Sequence, residues 1–171
     1  MNKSGLKWTI ILIWVLLSGC GYRFAGSGSF PTGVETIFIE DLVNRTADTG
    51  IESIVTNQII FEFTRRNKNC LAPNKDIANA VMSGVITRET IRTVSSVSED
   101  TANERRVTLW VNLKVVKPNG KVVWVGENLS DNETYKVTED KLQTERFRKE
   151  AIGVLSGRMA ERVYGRLTDD F

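Results

Sequence analysis

The segment from Arg106 to Lys117, RVTLWVNLKVVK, leaves this chain little freedom. Val107, Leu109, Val111, Leu113 and Val115 occupy every second position, and Thr108, Trp110, Asn112 and Lys114 fall between them. A period of two sends the first set to one side of a β-strand and the second set to the other. Such a strand needs an apolar layer against one face only. Lys117-Pro118-Asn119-Gly120 follows, with proline pre-setting φ and Asn-Gly tolerating positive φ, which makes a tight turn. The spacing therefore predicts a returning strand from Lys121 to Tyr135, bulged or broken near Gly126. One face of this hairpin is apolar; the other shows Trp110, Asn112, Lys114 and, if the register permits, Trp124.

The cover for the apolar face is found on either side of the hairpin. Ile51, Ile54, Val55, Ile59 and Phe63 recur at helical spacing between Gly50 and Lys68, with Asp48 or Thr49 placed to cap. Ile152, Leu155, Met159, Val163 and Leu167 repeat the stripe within a long helix expected from about Thr138 to about Asp169, its other sides crowded with Arg, Lys and Glu. Val34–Asp41 and Ala80–Val97 read as two further strands, the second with imperfect alternation. The expected fold is α/β (α+β): a two-layer sandwich with two helices on one face of a four-stranded, mainly antiparallel sheet, in the order β-α-β-β-β-α. Periodicity does not decide where the first strand lies.

The N-terminus obeys different rules. Lys3 and Lys7 precede the apolar run Trp8–Leu17, the proportions of a secretory signal and too short to span a bilayer. Leu17-Ser18-Gly19-Cys20 then resembles the bacterial lipobox, which implies that Cys20 is acylated and becomes the first residue of the mature chain. More than one acyl chain is needed for firm membrane residence. Gly21, rather than aspartate, follows the cysteine, which by the sorting rule implies the outer membrane. Residues 1–19 are read as signal peptide, 20–33 as a Gly/Ser-rich lipidated tether, and 34–171 as the folded domain. Losing Lys3 and Lys7 changes 23 basic against 21 acidic residues to 21 against 21, a balance that argues against nonspecific nucleic-acid binding. With Cys20 lipidated, Cys70 has no partner in the chain and reads as a small buried hydrophobe.

Chemistry is conspicuous by its absence. There is no histidine, so the commonest general base and metal ligand are missing. No P-loop, G-x-G-x-x-G, G-x-S-x-G or H-E-x-x-H occurs, and carboxylate pairs such as Glu99-Asp100 and Asp169-Asp170 read as solvated charge. No enzyme, cofactor or metal site is expected. What remains is a gathering of basic residues near the ends of the central strands: Arg88, Arg92, Arg105, Arg106, Lys117, Lys121 and Lys136. Arginine offers bidentate and lysine point-charge contacts to phosphate.

Cys20-Gly21-Tyr22-Arg23-Phe24 and the small residues after it are similar to the mature N-terminus of the lipopolysaccharide-assembly lipoproteins, the LptE family. Val34–Ile39 followed by Asn44-Arg45-Thr46 resembles that family's first strand and its N-x-T turn into the first helix, and the element order agrees over the mature chain. One departure is the stretch Glu40-Asp41-Leu42-Val43, where many members carry proline-x-phenylalanine. The resemblance implies a non-catalytic plug and assembly partner of the outer-membrane β-barrel LptD that binds lipopolysaccharide. Ligand contacts are carried over loosely, to Arg92, Arg105, Arg106 and Lys136, pairing with phosphates. The competing reading is another outer-membrane lipoprotein that binds peptidoglycan or an envelope assembly machine. A carboxylate-only hydrolase and a lipid carrier with a cavity between sheet and helices are further alternatives. Cys20→Ala is expected to leave the precursor unacylated and mislocalised; membrane fractionation checks this, and full outer-membrane recovery of the variant would contradict the anchor.

Overall fold

The computed structural model describes residues 30–94 and 104–169, so the signal, Cys20, Asp170 and the Glu99-Asp100 pair lie outside the described residues. The chain runs β1 (Ile37–Ile39), β2 (Val43–Asn44), α1 (Ile51–Arg66), β3 (Ala80–Val94), β4 (Glu104–Val116), β5 (Val122–Lys136) and α2 (Lys141–Asp169). The sheet has five strands in the order β1-β3-β4-β5, with β2 also paired to β3. β3, β4 and β5 form the expected antiparallel meander, while β1 and β2 run parallel to β3 along one edge.

The expected single first strand is two strands, which raises the count from four to five. Ile37 and Ile39 are buried at a spacing of two, but Leu42 is buried as well, which a continuous strand does not allow. The backbone kinks at Glu40–Leu42 to turn Leu42 inward, where its N–H donates to the Thr56 hydroxyl at 3.2 Å. The folded body also begins earlier than the expected tether boundary. Phe30 stacks on Phe63 and meets Tyr164 edge-on, at centroid distances of 6.2 and 5.9 Å, and Pro31 is buried.

Both helices pack on the same side of the sheet. Ile51, Val55, Ile59 and Phe63 of α1 and Ile152, Leu155, Met159, Val163 and Leu167 of α2 are buried with Val107, Leu109, Val111 and Val115 of β4. Each such side chain removed from water contributes about 1.5–3 kcal/mol. Cys70 joins this core; its Sγ donates to the Phe63 carbonyl at 3.4 Å, and burial pushes the thiol up to about 11. Neither Asp48 nor Thr49 caps α1. Gly50 holds the N-cap with φ 94°, and the Glu52 carboxylate accepts its N–H. Asn44 organises this entry: its Oδ1 accepts from the N–H and hydroxyl of Thr46, and its Nδ2 donates to Asp48 O and Glu52. That is a physical reason for an N-x-T turn before this helix. α2 starts three residues later than expected because Asp140 caps it, accepting from the N–H groups of Leu142 and Gln143.

The hairpin turn is as expected: Gly120 has φ 82° and donates to Lys117 O at 2.9 Å. Trp124 is not. It stands opposite Val115, on the helix side, 7% exposed, because the pairing shifts between Val115 and Val116. Its ring lies over Gly126, where any Cβ would collide with it. Trp110 and Trp124 thus occupy opposite faces of the sheet. Among the described residues, no helix is long and apolar enough to cross a membrane.

Candidate functional site: the uncovered sheet face

Side chains that point away from the helices meet no second layer among the described residues. On β4 these are Glu104, Arg106, Thr108, Trp110, Asn112 and Lys114, the alternation that the sequence predicts. Which residues of the neighbouring strands join them is decided by two β-bulges. On β3, Ile86 pairs with Val111 and Arg88 with Trp110, so Thr87 is the extra residue, its hydroxyl bonded to Trp110 O at 3.2 Å. Before the bulge, Met82 and Ile86 face the core; after it, Glu89 pairs with core-facing Leu109. The inserted residue reverses the face of everything beyond it, and so turns Arg88, Thr90 and Arg92 outward. On β5, Gly126 pairs with Leu113 and Leu129 with Val111, with Asn128 at φ 50° between them. Asn128 N–H donates to Asn112 Oδ1 at 2.8 Å. That second bulge turns Ser130, Asn132, Thr134 and Lys136 outward.

The four expected ligand residues therefore separate. Arg92 lies directly across from Arg106, and Lys136 lies across from Glu104, all on the uncovered face at one end of the sheet. Arg105 points the other way, between Thr93 and Tyr135, because adjacent strand residues cannot share a face. It belongs to the helix side: burial pushes the Tyr135 phenol up, against the pull of Arg105 and Arg148. Among the described residues, Arg92, Arg106 and Lys136 form no ion pair. Two like charges directly opposite across a ladder repel, so the Arg92–Arg106 pair costs stability unless an anion sits between them.

Arg88 and Trp110 form a pair that the sequence does not announce. The Arg88 guanidinium lies 3.9 Å from the Trp110 ring centroid, well inside cation–π range. Both residues stood in the sequence as a basic side chain and an exposed aromatic, but without the bulge nothing places them on one face.

Other arginines that read as surface crowding are structural. Arg148, nearly buried, donates to Asp48, to Glu89 at 2.9 Å and to Glu145 at 3.0 Å, and so ties the loop before α1, strand β3 and helix α2 together. Burial pushes the Glu89 carboxyl up, opposed by Arg148. Arg158 donates to Asp131 at 3.0 Å and Glu133 at 2.6 Å, and Arg162 to Asp131 at 2.8 Å, fastening α2 to β5. These carboxylate gatherings are closed on arginines. On the helix side, a shallow groove of about 660 Å³ opens between α1 and α2, with Phe61, Gly153, Val154 and Gly157 among its walls.

The fold is shared with solved lipoproteins. A protein from Caulobacter crescentus described as a lipoprotein superposes with a TM-score of 0.54 at 14% identity, covering 80% of this chain and 90% of its own. Lipoprotein B from Nitrosomonas europaea gives 0.53 at 10% identity, covering 88% and 92%. Such low identities establish a common architecture and nothing finer. A comparison with curated proteins found no match. The family model described as LptE, lipopolysaccharide-assembly, matches residues 34–167, which is most of the chain. This chain belongs to the LptE family.

Asp131 offers a test of the α2–β5 fastening. Burial pushes its carboxyl up, but the hydrogen bonds from Arg158, Asn132 N–H and Arg162 outweigh this and hold it below the usual carboxylate range. A depressed folded value means stability present above the unfolded pKa and lost as pH falls through the folded one. Asp131→Asn is expected to cost about 1–2 kcal/mol at pH 7, the arginines being partly solvated. Its cost is expected to shrink as pH drops below about 4. Thermal melts of both proteins between neutral and acid pH measure this.

Proposed function

We propose that this protein is a non-catalytic outer-membrane lipoprotein, anchored by acyl chains on Cys20, that serves as plug and assembly partner of the LptD β-barrel and binds lipopolysaccharide on its way to the cell surface. Family membership supports the role in lipopolysaccharide assembly. The observation that carries the ligand side is the Arg92–Arg106 pair, two guanidinium groups opposed on a face that the described residues leave uncovered, with Lys136 one row beyond. Phosphate groups of lipopolysaccharide are anions of the kind that relieve such a pair, through charge-assisted bidentate bonds. The plug role is supported by shape and surface. A body fastened by a continuous core and two ionic clasps is rigid, and its mixed polar outer face suits a barrel lumen, which is itself polar. The tether and anchor would hold it at the periplasmic face of the membrane.

Of the four residues expected to contact ligand, Arg92, Arg106 and Lys136 form the proposed site, and Arg105 is set apart from it by its orientation. Reversing charge at Arg92, Arg106 and Lys136 together is expected to weaken lipopolysaccharide binding about tenfold or more at low salt, with the loss smaller at high salt. The melting temperature should change little, because all three side chains are exposed and reversal exchanges one opposed like-charge pair for another. Calorimetry at two ionic strengths measures both effects, and unchanged binding at low salt would rule the site out.

A further inference from the structure

Along the uncovered face, the outward residues form rows that cross the sheet. Moving toward the end of β3, they are Arg88–Trp110–Ser130, then Thr90–Thr108–Asn132, then Arg92–Arg106–Thr134. A cationic row, a row of neutral hydroxyls and an amide, and a second cationic row thus succeed one another on one continuous surface. Arg88 and Arg92 are four residues apart on one strand, so their backbone positions are about 13 Å apart.

The two cationic rows differ in build. In the distal row the charges face each other and compete for the same space. In the proximal row there is one charge, and it is held: Trp110 is half-buried in the sheet surface, and the Arg88 guanidinium lies over its ring, 3.9 Å from the centroid. A stacked guanidinium keeps its edge N–H donors free and loses less rotamer freedom when it binds, so the ring preorganises the arginine for an anion. Trp110 is a positioning residue acting through Arg88. The backbone at this level is fixed too, since Thr87 bonds to the Trp110 carbonyl and Asn128 to the neighbouring Asn112 side chain.

Resting on the ligand reading above, we propose that Arg88 on Trp110 is a second anion subsite, and that the two cationic rows take a disaccharide carrying a phosphate at each end. The sugar lies along the strands with its hydroxyls over Thr90, Thr108 and Asn132. One phosphate meets Arg88; the other sits between Arg92 and Arg106. A ligand with a single phosphate fills one row and leaves the other empty, so the face distinguishes ligands by the number and separation of their phosphates.

The test uses the full lipidated chain in mild detergent and calorimetry with three water-soluble probes: a deacylated disaccharide phosphorylated at both ends, its monophosphorylated counterpart, and inorganic phosphate. The doubly phosphorylated probe should bind about tenfold or more tighter than the other two. Arg88→Gln should erase that advantage while changing binding of the monophosphorylated probe less than about twofold. Trp110→Ala should reproduce the Arg88→Gln loss and add nothing to it in the double variant, and Trp110→Phe should restore most of it, a pattern that a purely structural tryptophan would not give. If Arg88→Gln leaves all three affinities unchanged while charge reversal at Arg92 and Arg106 abolishes lipopolysaccharide binding, the two-subsite proposal is overturned and the phosphate reading stands. Equal binding of inorganic phosphate and the doubly phosphorylated probe likewise overturns it. Should lipopolysaccharide itself fail to bind the unmodified protein, both fall together.

Discussion

Two helices supply enough apolar surface to cover one side of a sheet, and the described residues form two helices. The buried stripes of α1 and α2 close over the inward residues of β3, β4 and β5, and nothing in the described chain is left to cover the outward ones. The chemical difference between the two faces of the sheet follows from that asymmetry. Apolar residues are drawn to one face by burial, and polar, aromatic and basic residues remain on the other by default. A protein of this size that leaves a long sheet face bare needs that face to tolerate water, and the mixture of threonine, asparagine, arginine and lysine does so. The same mixture is what an anionic, hydroxyl-rich ligand or a polar barrel lumen would meet.

Burial alone does not choose which residues of an outer strand face outward; the bulges do. Without the extra residue at Thr87, strict alternation from Met82 and Ile86 would carry Arg88 and Arg92 under the helices. There they would need partners of the kind that Arg148 finds in Asp48, Glu89 and Glu145. With it, Glu89 goes inward to meet Arg148 and the arginines go outward. One inserted residue thus serves the interior clasp and the exterior charge at once. The second bulge, at Asn128, lies at the same level on the other side of β4 and does the same for Lys136.

This explains what the amino-acid sequence discloses and what it conceals. The hairpin, both helical stripes, the order of elements and the uncovered position of Trp110, Asn112 and Lys114 are legible because period two on β4 and period 3.6 in the helices run without interruption. The imperfect alternation seen in Ala80–Val97 is the trace of the Thr87 bulge, visible as irregularity but not as a position. The face that Trp124 takes is hidden for the same reason, a register shift at Val115–Val116. The split of the first strand hides in a single residue, Leu42, whose burial breaks the period. Arg105 and Arg106 sit side by side in sequence and on opposite faces in the structure, so a cluster of basic residues in one dimension became two environments in three. The ionic clasps of Arg148 and Arg158 have no sequence signature, since the partners that link separate elements, Asp48, Glu89, Asp131 and Glu133, come from 25 to 100 residues away.

The bare sheet face, not the helix layer, is the surface proposed to meet lipopolysaccharide. Site-specific photo-crosslinking in living cells tests it most directly, with the photoreactive residue placed at Thr90 or Thr108 on the sheet and at Phe61 or Val154 on the helices. Adducts with lipopolysaccharide from the sheet positions and none from the helix positions are the predicted result. Adducts formed from Phe61 or Val154 alone would contradict it.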